Sequence, residues 1–553
     1  MNRILLVISK TCTFVSRGFG LRIIALVMLA TSPVLPQTFS LMYNFGSNPG
    51  DPNVGVAPGA IVQGRDGNIY TTSELGGANN GGTIFQITPG GALTVLYNFD
   101  GTTGLIPFGG LTLGTDGNFY GTTEGGGASS DGVIFKFTPP STLTMLYQFT
   151  GGADGAFPYA APIQGLDGNL YGTVAEGGRL HKGSVYKLTP AGKFTTLHSF
   201  NGKDGANLKA PLVQGADGNF YGTAELGGSG SSGTIFRITP TGKFTKLYDF
   251  DKTHGQDVHA PLIQGADGNF YGTTSSGGSE NSGVIFSVTP AGSLTVLHSF
   301  NNFNFDGCLP YAGLVQASDG NFYGVSSSCG TGTFGTLYSI TPSGTFTVLH
   351  NFFSSDGEDP EANLLQHTNG ILYGNTFTGG SDACICGTFF SLNDSLAPFI
   401  GLLPAAARVG GQLQIFGQGL TGATAVSLNG KAASFVVVAD TYMTATVPSG
   451  ATTGPVTVTT SGGPLASKQS FRILPTLKSF TPTSGVVGTQ VTIKGVSLTQ
   501  ATQVTFGGVS ASFVVNSDTQ VTAAVPTGAV TGKIAITTLG GTATSGGTFT
   551  VTP

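Results

Sequence analysis

The stretch "APLVQGADGNFYGTAELGGSGSSGTIFRITPTGKFTKLYDF", residues 210–250, contains four short apolar runs separated by turn residues. The runs PLVQG, FYGTA, TIFRIT and FTKLYDF are rich in β-branched and aromatic side chains, as strands are. Asp217-Gly218-Asn219 lies between the first two, where glycine supplies the positive φ of a tight hairpin. Pro240 ends the third run and Gly242 turns the chain into the fourth. In the third, Thr234, Phe236 and Ile238 alternate with Ile235, Arg237 and Thr239, giving two faces for neighbouring sheets. One such stretch therefore predicts one antiparallel four-stranded sheet.

The motif Asp-Gly-Asn-apolar-Tyr, with small departures, recurs at Tyr70, Tyr120, Tyr171, Tyr221, Tyr271, Tyr323 and Tyr373, in steps of 50 to 52 residues. Seven copies of a four-stranded unit at this period predict a seven-bladed β-propeller. The third-strand pattern occurs seven times, ending with GTFFSLN at residues 387–393, after which no fourth strand follows. An isolated fourth strand, TFSLMYNF, stands instead at residues 38–45. Pairing this strand with the last blade closes the ring and removes two exposed sheet edges. An open solenoid leaves both the lone tail and the unfinished last unit unexplained.

The composition agrees with an all-β chain. Its 553 residues include 89 glycines, 39 phenylalanines and no tryptophan, and only 9% are charged. A net charge of −5 with 23 scattered Lys and Arg gives no basic stripe for a phosphate backbone, so nucleic acid is not an expected partner. Residues 1–37 read as a cleavable export signal, with Arg3, Lys10, Arg17 and Arg22 ahead of the apolar run IIALVMLA, residues 23–30. No membrane span is expected after its removal. Cys12 precedes the apolar run, which does not suit a lipoprotein signal.

From residue 396 the composition shifts to Val, Thr, Ala and Gly, and a second repeat begins. VGGQLQIFGQGL at 409–420 matches VGTQVTIKGVSL at 487–498, an offset of 78 residues. The expected division is a propeller at 38–395 and two small sandwiches at 396–473 and 474–553. FTPTSGVVGTQVTIKG (480–495), VTFGG (504–508) and VPTGAVTGKIAITTLGGTATS (525–545) resemble the IPT/TIG family, which implies an immunoglobulin-like fold and an exposed interaction or spacer role. The first module departs at LLPAAARVGG, where Ala406 and Ala407 stand at the family's Ser-Gly pair. The propeller unit, from Phe39 to Asn393, resembles the bacterial GloVer-type tandem repeat of exported proteins, a family defined by its repeat rather than by a reaction. Anchored members carry a C-terminal tail; the ending GTFTVTP implies release from the cell or non-covalent retention.

Four cysteines follow the signal, an even number that suits disulfides in an exported chain. Cys308 and Cys329 flank one hairpin and are the preferred pair. Cys384 and Cys386 then pair locally, with inter-blade pairing as the alternative. Cys-x-Cys with two distant cysteines lacks zinc spacing.

Function is expected on the rim that gathers the longer loops. Glu74, Glu124 and Glu225 stand four residues past the motif tyrosine and Glu176 stands five past it. Together they could bind sugar hydroxyls or Ca²⁺, although no calcium-loop motif is present. Otherwise they are solvated loop charges. GGRLHKG supplies Arg179, His181 and Lys182, and KTHGQDVHA supplies His254 and His259. With Lys203 and Lys209 these form a candidate cationic cluster for an acidic polysaccharide. The histidines are the candidate bases if the protein were a lyase. His198, His298 and His350 replace a tyrosine of the fourth strand and are expected to be structural. No phosphate loop, dinucleotide fingerprint, zinc-protease motif or nucleophile elbow occurs. The expectation is a monomeric, exported, non-catalytic protein without cofactor, engaging an extracellular glycan or a surface protein. A polysaccharide lyase or glycoside hydrolase on the rim or in the central tunnel is the alternative.

Overall fold

Seven four-stranded antiparallel sheets carry the seven repeats. In the computed structural model the residues described are 37–48, 50–53, 61–380 and 386–553. All but the last residue of the expected export signal, 1–37, lie outside them with Cys12, as does Cys384. In blade 4 the strands are Val213–Gln214, Phe220–Ala224, Thr234–Ile238 and Phe244–Asp249. The first is shorter than PLVQG suggested, because only two residues pair with the second strand. The third strand is buried on both faces, since each blade is sandwiched between two others.

The ring closes as the lone strand requires. Thr38–Asn44 pairs antiparallel with Thr388–Asn393 and completes the last blade. Its Phe39 ring stacks on His350 of the preceding blade, with centroids 3.8 Å apart. The same position of other fourth strands does the same: Phe194 stacks on Tyr147, Phe244 on His198 and Phe346 on His298. Each histidine is also held by an aspartate a few residues on, His198 by Asp204 at 2.9 Å, and His298 by Asp306 and His350 by Asp356 at 3.0 Å. These histidines are inter-blade packing groups.

A second circuit of contacts joins the first strands of neighbouring blades. The glutamine ending a first strand accepts a hydrogen bond from a backbone N–H of the preceding blade. Gln164 takes Thr115, Gln214 takes Leu166, Gln264 takes Ala216, Gln316 takes Ala266 and Gln366 takes Ser318. Gln63 of blade 1 takes Thr368 of blade 7 at 3.1 Å, which joins the ends of the circuit. Blade 2 has Leu113 at this position and omits the bond. The Asp-Gly-Asn turns lie beside this circuit. Each aspartate accepts both the asparagine N–H and the tyrosine O–H, as Asp217 does from Asn219 at 3.1 Å and Tyr221 at 2.9 Å. The motif thus locks a turn to its strand as well as reversing the chain.

Two sandwiches follow. In the first, one sheet contains Gly401–Leu403, Gln412–Phe416, Tyr442–Thr446 and Phe435–Ala439, and the other contains Lys431–Ala433, Ala425–Leu428, Val456–Thr460 and Gly463–Ala466. Ala406–Ala407 pairs in parallel with Arg472–Ile473, just as Ser484–Gly485 pairs with Thr550 and Val551 in the second. The alanines therefore keep the backbone bridge that the Ser-Gly pair makes. This first module seats on the short-turn rim of the propeller. Arg65 donates to Gln414 at 2.8 Å and lies over the Tyr442 ring, and Gln414 donates to Thr115 O at 2.6 Å. Arg472 reaches Ala216 O, Lys468 reaches Gln316 O and Gln418 reaches Thr368. These contacts touch blades 1, 2, 4, 6 and 7, so the module spans that rim, opposite the long loops.

Candidate ligand site at the propeller axis

In each of six consecutive blades the connection into the first strand makes the same turn. Ile106, Phe157, Asn207, Asp257, Leu309 and Asp359 all lie in the left-handed region, with φ between 53° and 59°. Large and β-branched residues rarely adopt this conformation, and it costs about 1 kcal/mol or more per residue. It is held by the blade: the carbonyl of each accepts the N–H of the residue four past the motif tyrosine, for example Glu225 N–H to Asn207 O at 3.2 Å. Two residues beyond this turn, each of the six blades directs one side chain to the centre of the ring. They are Phe108, Tyr159, Lys209, His259, Tyr311 and Glu361. One residue from each of six blades can line a single cavity only at the axis. That cavity has a volume of about 190 Å³, and Asn363 joins its wall.

Neighbours around the ring touch in sequence. Phe108 and Tyr159 meet edge to face at 5.4 Å, Lys209 Nζ lies 5.9 Å from the Tyr159 ring centre, and His259 meets Tyr311 at 5.1 Å. Behind them stand the glutamates at the ends of the second strands. Glu225 is 9% exposed; it pairs with Lys209 at 3.0 Å, accepts from Asn207 at 2.5 Å and lies 3.7 Å from His259. Glu124 accepts the Tyr159 hydroxyl at 3.0 Å. Glu74 and Glu361 are half-buried, and neither has a hydrogen-bond or ion-pair partner among the described residues. Burial, then the charges of Glu124 and Glu361, push Glu74 up to about 7. Burial, then Asp359, pushes Glu361 up to about 7. Burial is the main cause that lowers His259, ahead of the opposing pull of Glu225, so its imidazole is neutral at neutral pH. The Tyr159 phenol is raised by burial and then by Glu124.

The structure sorts the residues nominated from sequence into two groups. Glu74, Glu124, Glu225 and His259 converge on the axis, with Lys209. Glu176, Arg179, His181, Lys182 and His254 do not line the cavity. Glu176 is exposed because it comes one residue later in its strand, and one step along a strand reverses the direction of the side chain; Ala175 takes the inward place. Arg179, His181 and Lys182 are exposed on the loop between the second and third strands, and His254 pairs with Asp251 at 2.8 Å. The candidate cationic cluster is therefore dispersed: of its members Lys209 and His259 line the cavity, Lys209 paired with Glu225 and His259 held low by burial. Tyr159, Tyr311, Glu361 and Asn363 went unnoticed in the sequence. For all but Asn363 the signal is the column directly before the Gly or Ala that leads into each of six first strands, where an otherwise uniform repeat carries six positions with five kinds of side chain.

Cys308 and Cys329 form a disulfide that ties a first-strand entry loop to the end of the second strand in blade 6. Cys386 is also disulfide-bonded. Among the described residues no group of His, Cys, Asp and Glu is arranged to hold a metal ion, and no helix is long and apolar enough to cross a membrane.

The architecture defines a class: an all-β propeller repeat protein extended by Ig-like modules. Its repeats match the Gloeobacter/Verrucomicrobia repeat over residues 33–165 and 158–390, and the chain belongs to that family. Residues 475–551 match the IPT/TIG domain. No curated protein matches the chain. Among solved structures, a fungal alcohol oxidase in complex with copper is 15% identical over 79% of this chain and 99% of its own, with a TM-score of 0.41. The gluconolactonase XC5397 from Xanthomonas campestris is 13% identical over 50% of this chain and 82% of its own, with a TM-score of 0.31. The surface glycan-binding protein PbSGBP-B from Prevotella bryantii is 15% identical over 26% of this chain, with a TM-score of 0.22; this chain spans only 38% of that protein.

Proposed function

We propose that this chain is an exported, non-catalytic binding protein that takes part of an extracellular glycan into the axial mouth of its long-loop rim. In this reading residues 1–37 direct export, 38–395 form the binding propeller, and 396–473 and 474–553 are spacer modules. The observation that supports it is the ring of unlike side chains at one repeated position. A scaffold needs only uniform blades, whereas aromatic rings beside amide, carboxyl and ammonium groups in a cavity suit a polar ring with apolar faces. The first Ig-like module occupies the opposite rim, which leaves this mouth accessible while the chain is held from its C-terminal side. A glycan array followed by calorimetry on the hits tests the reading. Binding that disappears in Tyr311→Ala but survives in Arg179→Ala supports it, and an array without hits refutes it.

One observation favours the alternative of a glycoside hydrolase or lyase at the same place. Glu361, pushed up to about 7, lines the cavity with a neutral His259, and a carboxylic acid so raised can deliver a proton under neutral conditions. Release of reducing ends or unsaturated products from a bound glycan, abolished in Glu361→Gln, would select the enzyme.

A further inference from the structure

We propose that the axial mouth selects a protonated amine, so that the glycan it holds presents a hexosamine with a free ammonium group. This rests on the glycan-binding reading above and adds the charge of the ligand to it. The argument begins with how charge is divided across the cavity. On one side Lys209 and Glu225 neutralise each other at 3.0 Å, and His259 beside them is neutral. On the other side Glu361 lines the wall, with Glu74, Glu124 and Asp359 close enough to act on one another through their charges. No Lys or Arg stands among the described partners of that side. The mouth thus carries uncompensated acid, and an anionic sugar would meet repulsion there.

The walls match the same ligand. Phe108, Tyr159 and Tyr311 present aromatic rings, whose faces attract an ammonium group and also stack on the apolar face of a pyranose. The protein already makes this contact with its own Lys209 over Tyr159. A volume of about 190 Å³ is on the scale of one sugar ring rather than of a threaded chain. Glu74 and Glu361, without a hydrogen-bond or ion-pair partner among the described residues, are groups whose ionised form an incoming ammonium would stabilise. Binding would then draw protons off these carboxyls, and affinity would rise with pH through about 7 for as long as the amine stays protonated.

The test uses the full chain and calorimetry at low salt with four probes: a β-1,4-linked glucosamine tetramer, the same tetramer N-acetylated, a tetragalacturonate, and ethylammonium. The expected result is that the free-amine tetramer binds at least about tenfold more tightly than the acetylated one and that the uronate does not bind. The preference should shrink about tenfold between about pH 7 and about pH 5.5. Glu361→Gln should remove the preference without lowering the melting temperature, while Glu176→Gln should keep it. Equal or tighter binding of the acetylated or uronate tetramer overturns the charge assignment and leaves the glycan reading standing. Binding of ethylammonium with no tetramer bound supports the amine site and overturns the glycan reading. A preference that survives Glu361→Gln and Glu74→Gln overturns the placement of the amine at this mouth.

Discussion

The two rims of the propeller are made from the same repeats and have opposite characters. On the short-turn rim the blades nearly repeat one another: in six of them a glutamine staples the first strand to its predecessor, and in blades 1 to 6 an aspartate locks the turn to a tyrosine. That rim is covered by the first Ig-like module. On the long-loop rim the backbone is just as regular, with the left-handed turn recurring in six blades, but the side chain it presents differs from blade to blade. Where packing requires a residue, the repeat supplies the same one; where the backbone merely points at the axis, it varies. The uniform rim holds the ring together, and the variable rim provides the chemistry.

The most severe way to break this comparison is to open the ring. Deleting residues 38–45 removes the fourth strand of the last blade together with the buried Phe45, leaves Thr388–Asn393 as an exposed edge, and strips Phe39 from His350. The variant should lose cooperative thermal unfolding in circular dichroism. A melt like that of the intact chain would show that other contacts close the ring. Phe39→Ala is the milder form, with an expected loss of about 2–3 kcal/mol for a half-buried aromatic at a stacked contact.

The pair Glu225 and Glu176 sharpens the comparison further. Both come from the same place in the repeat, one residue apart in register. Glu225→Ala should cost about 1–2 kcal/mol, since it strands Lys209 and Asn207 in a part-buried place. Glu176→Ala should change stability by less than about 0.5 kcal/mol. Urea unfolding of the two variants measures the difference, and equal costs would contradict the inward and outward assignment.

The fold could be read from the sequence because each blade is specified by local signals. The turn motif, the proline after the third strand and the fourth-strand Phe all repeat at a fixed interval, and the unmatched strand at 38–45 has one geometrically sensible partner. The site was only partly legible. Glu74, Glu124, Glu225 and His259 were found because they interrupt a glycine-rich background. Charge also drew notice to Arg179, His181, Lys182 and His254, which sit on loops whose direction the repeat does not set. Tyr159, Tyr311 and Glu361 were missed because the turn that aims them depends on φ values of ordinary residues such as Ile106 and Leu309, which nothing in their identity announces. Docking of the first Ig-like module was equally hidden, since it rests on backbone carbonyls such as Ala216 O and Gln316 O rather than on paired charges.

The subtlest test concerns the cost of the variable rim to the fold. An unfolded chain releases the Glu361 proton near its ordinary value of 4.5, whereas the folded chain keeps it up to about 7. Between these values the folded state binds more protons than the unfolded one, so this residue's contribution to stability falls as pH rises across that window and is constant above it. Glu361→Gln removes the titration. The variant should therefore gain on the parent protein between about pH 4.5 and about pH 7, by about 1 kcal/mol after allowance for partial solvent screening, and track it at higher pH. Urea midpoints collected across that range check the sign, and a parent and variant that run parallel from acid to neutral would mean that Glu361 is ionised in the folded ring and that the acid excess at the axis is compensated after all.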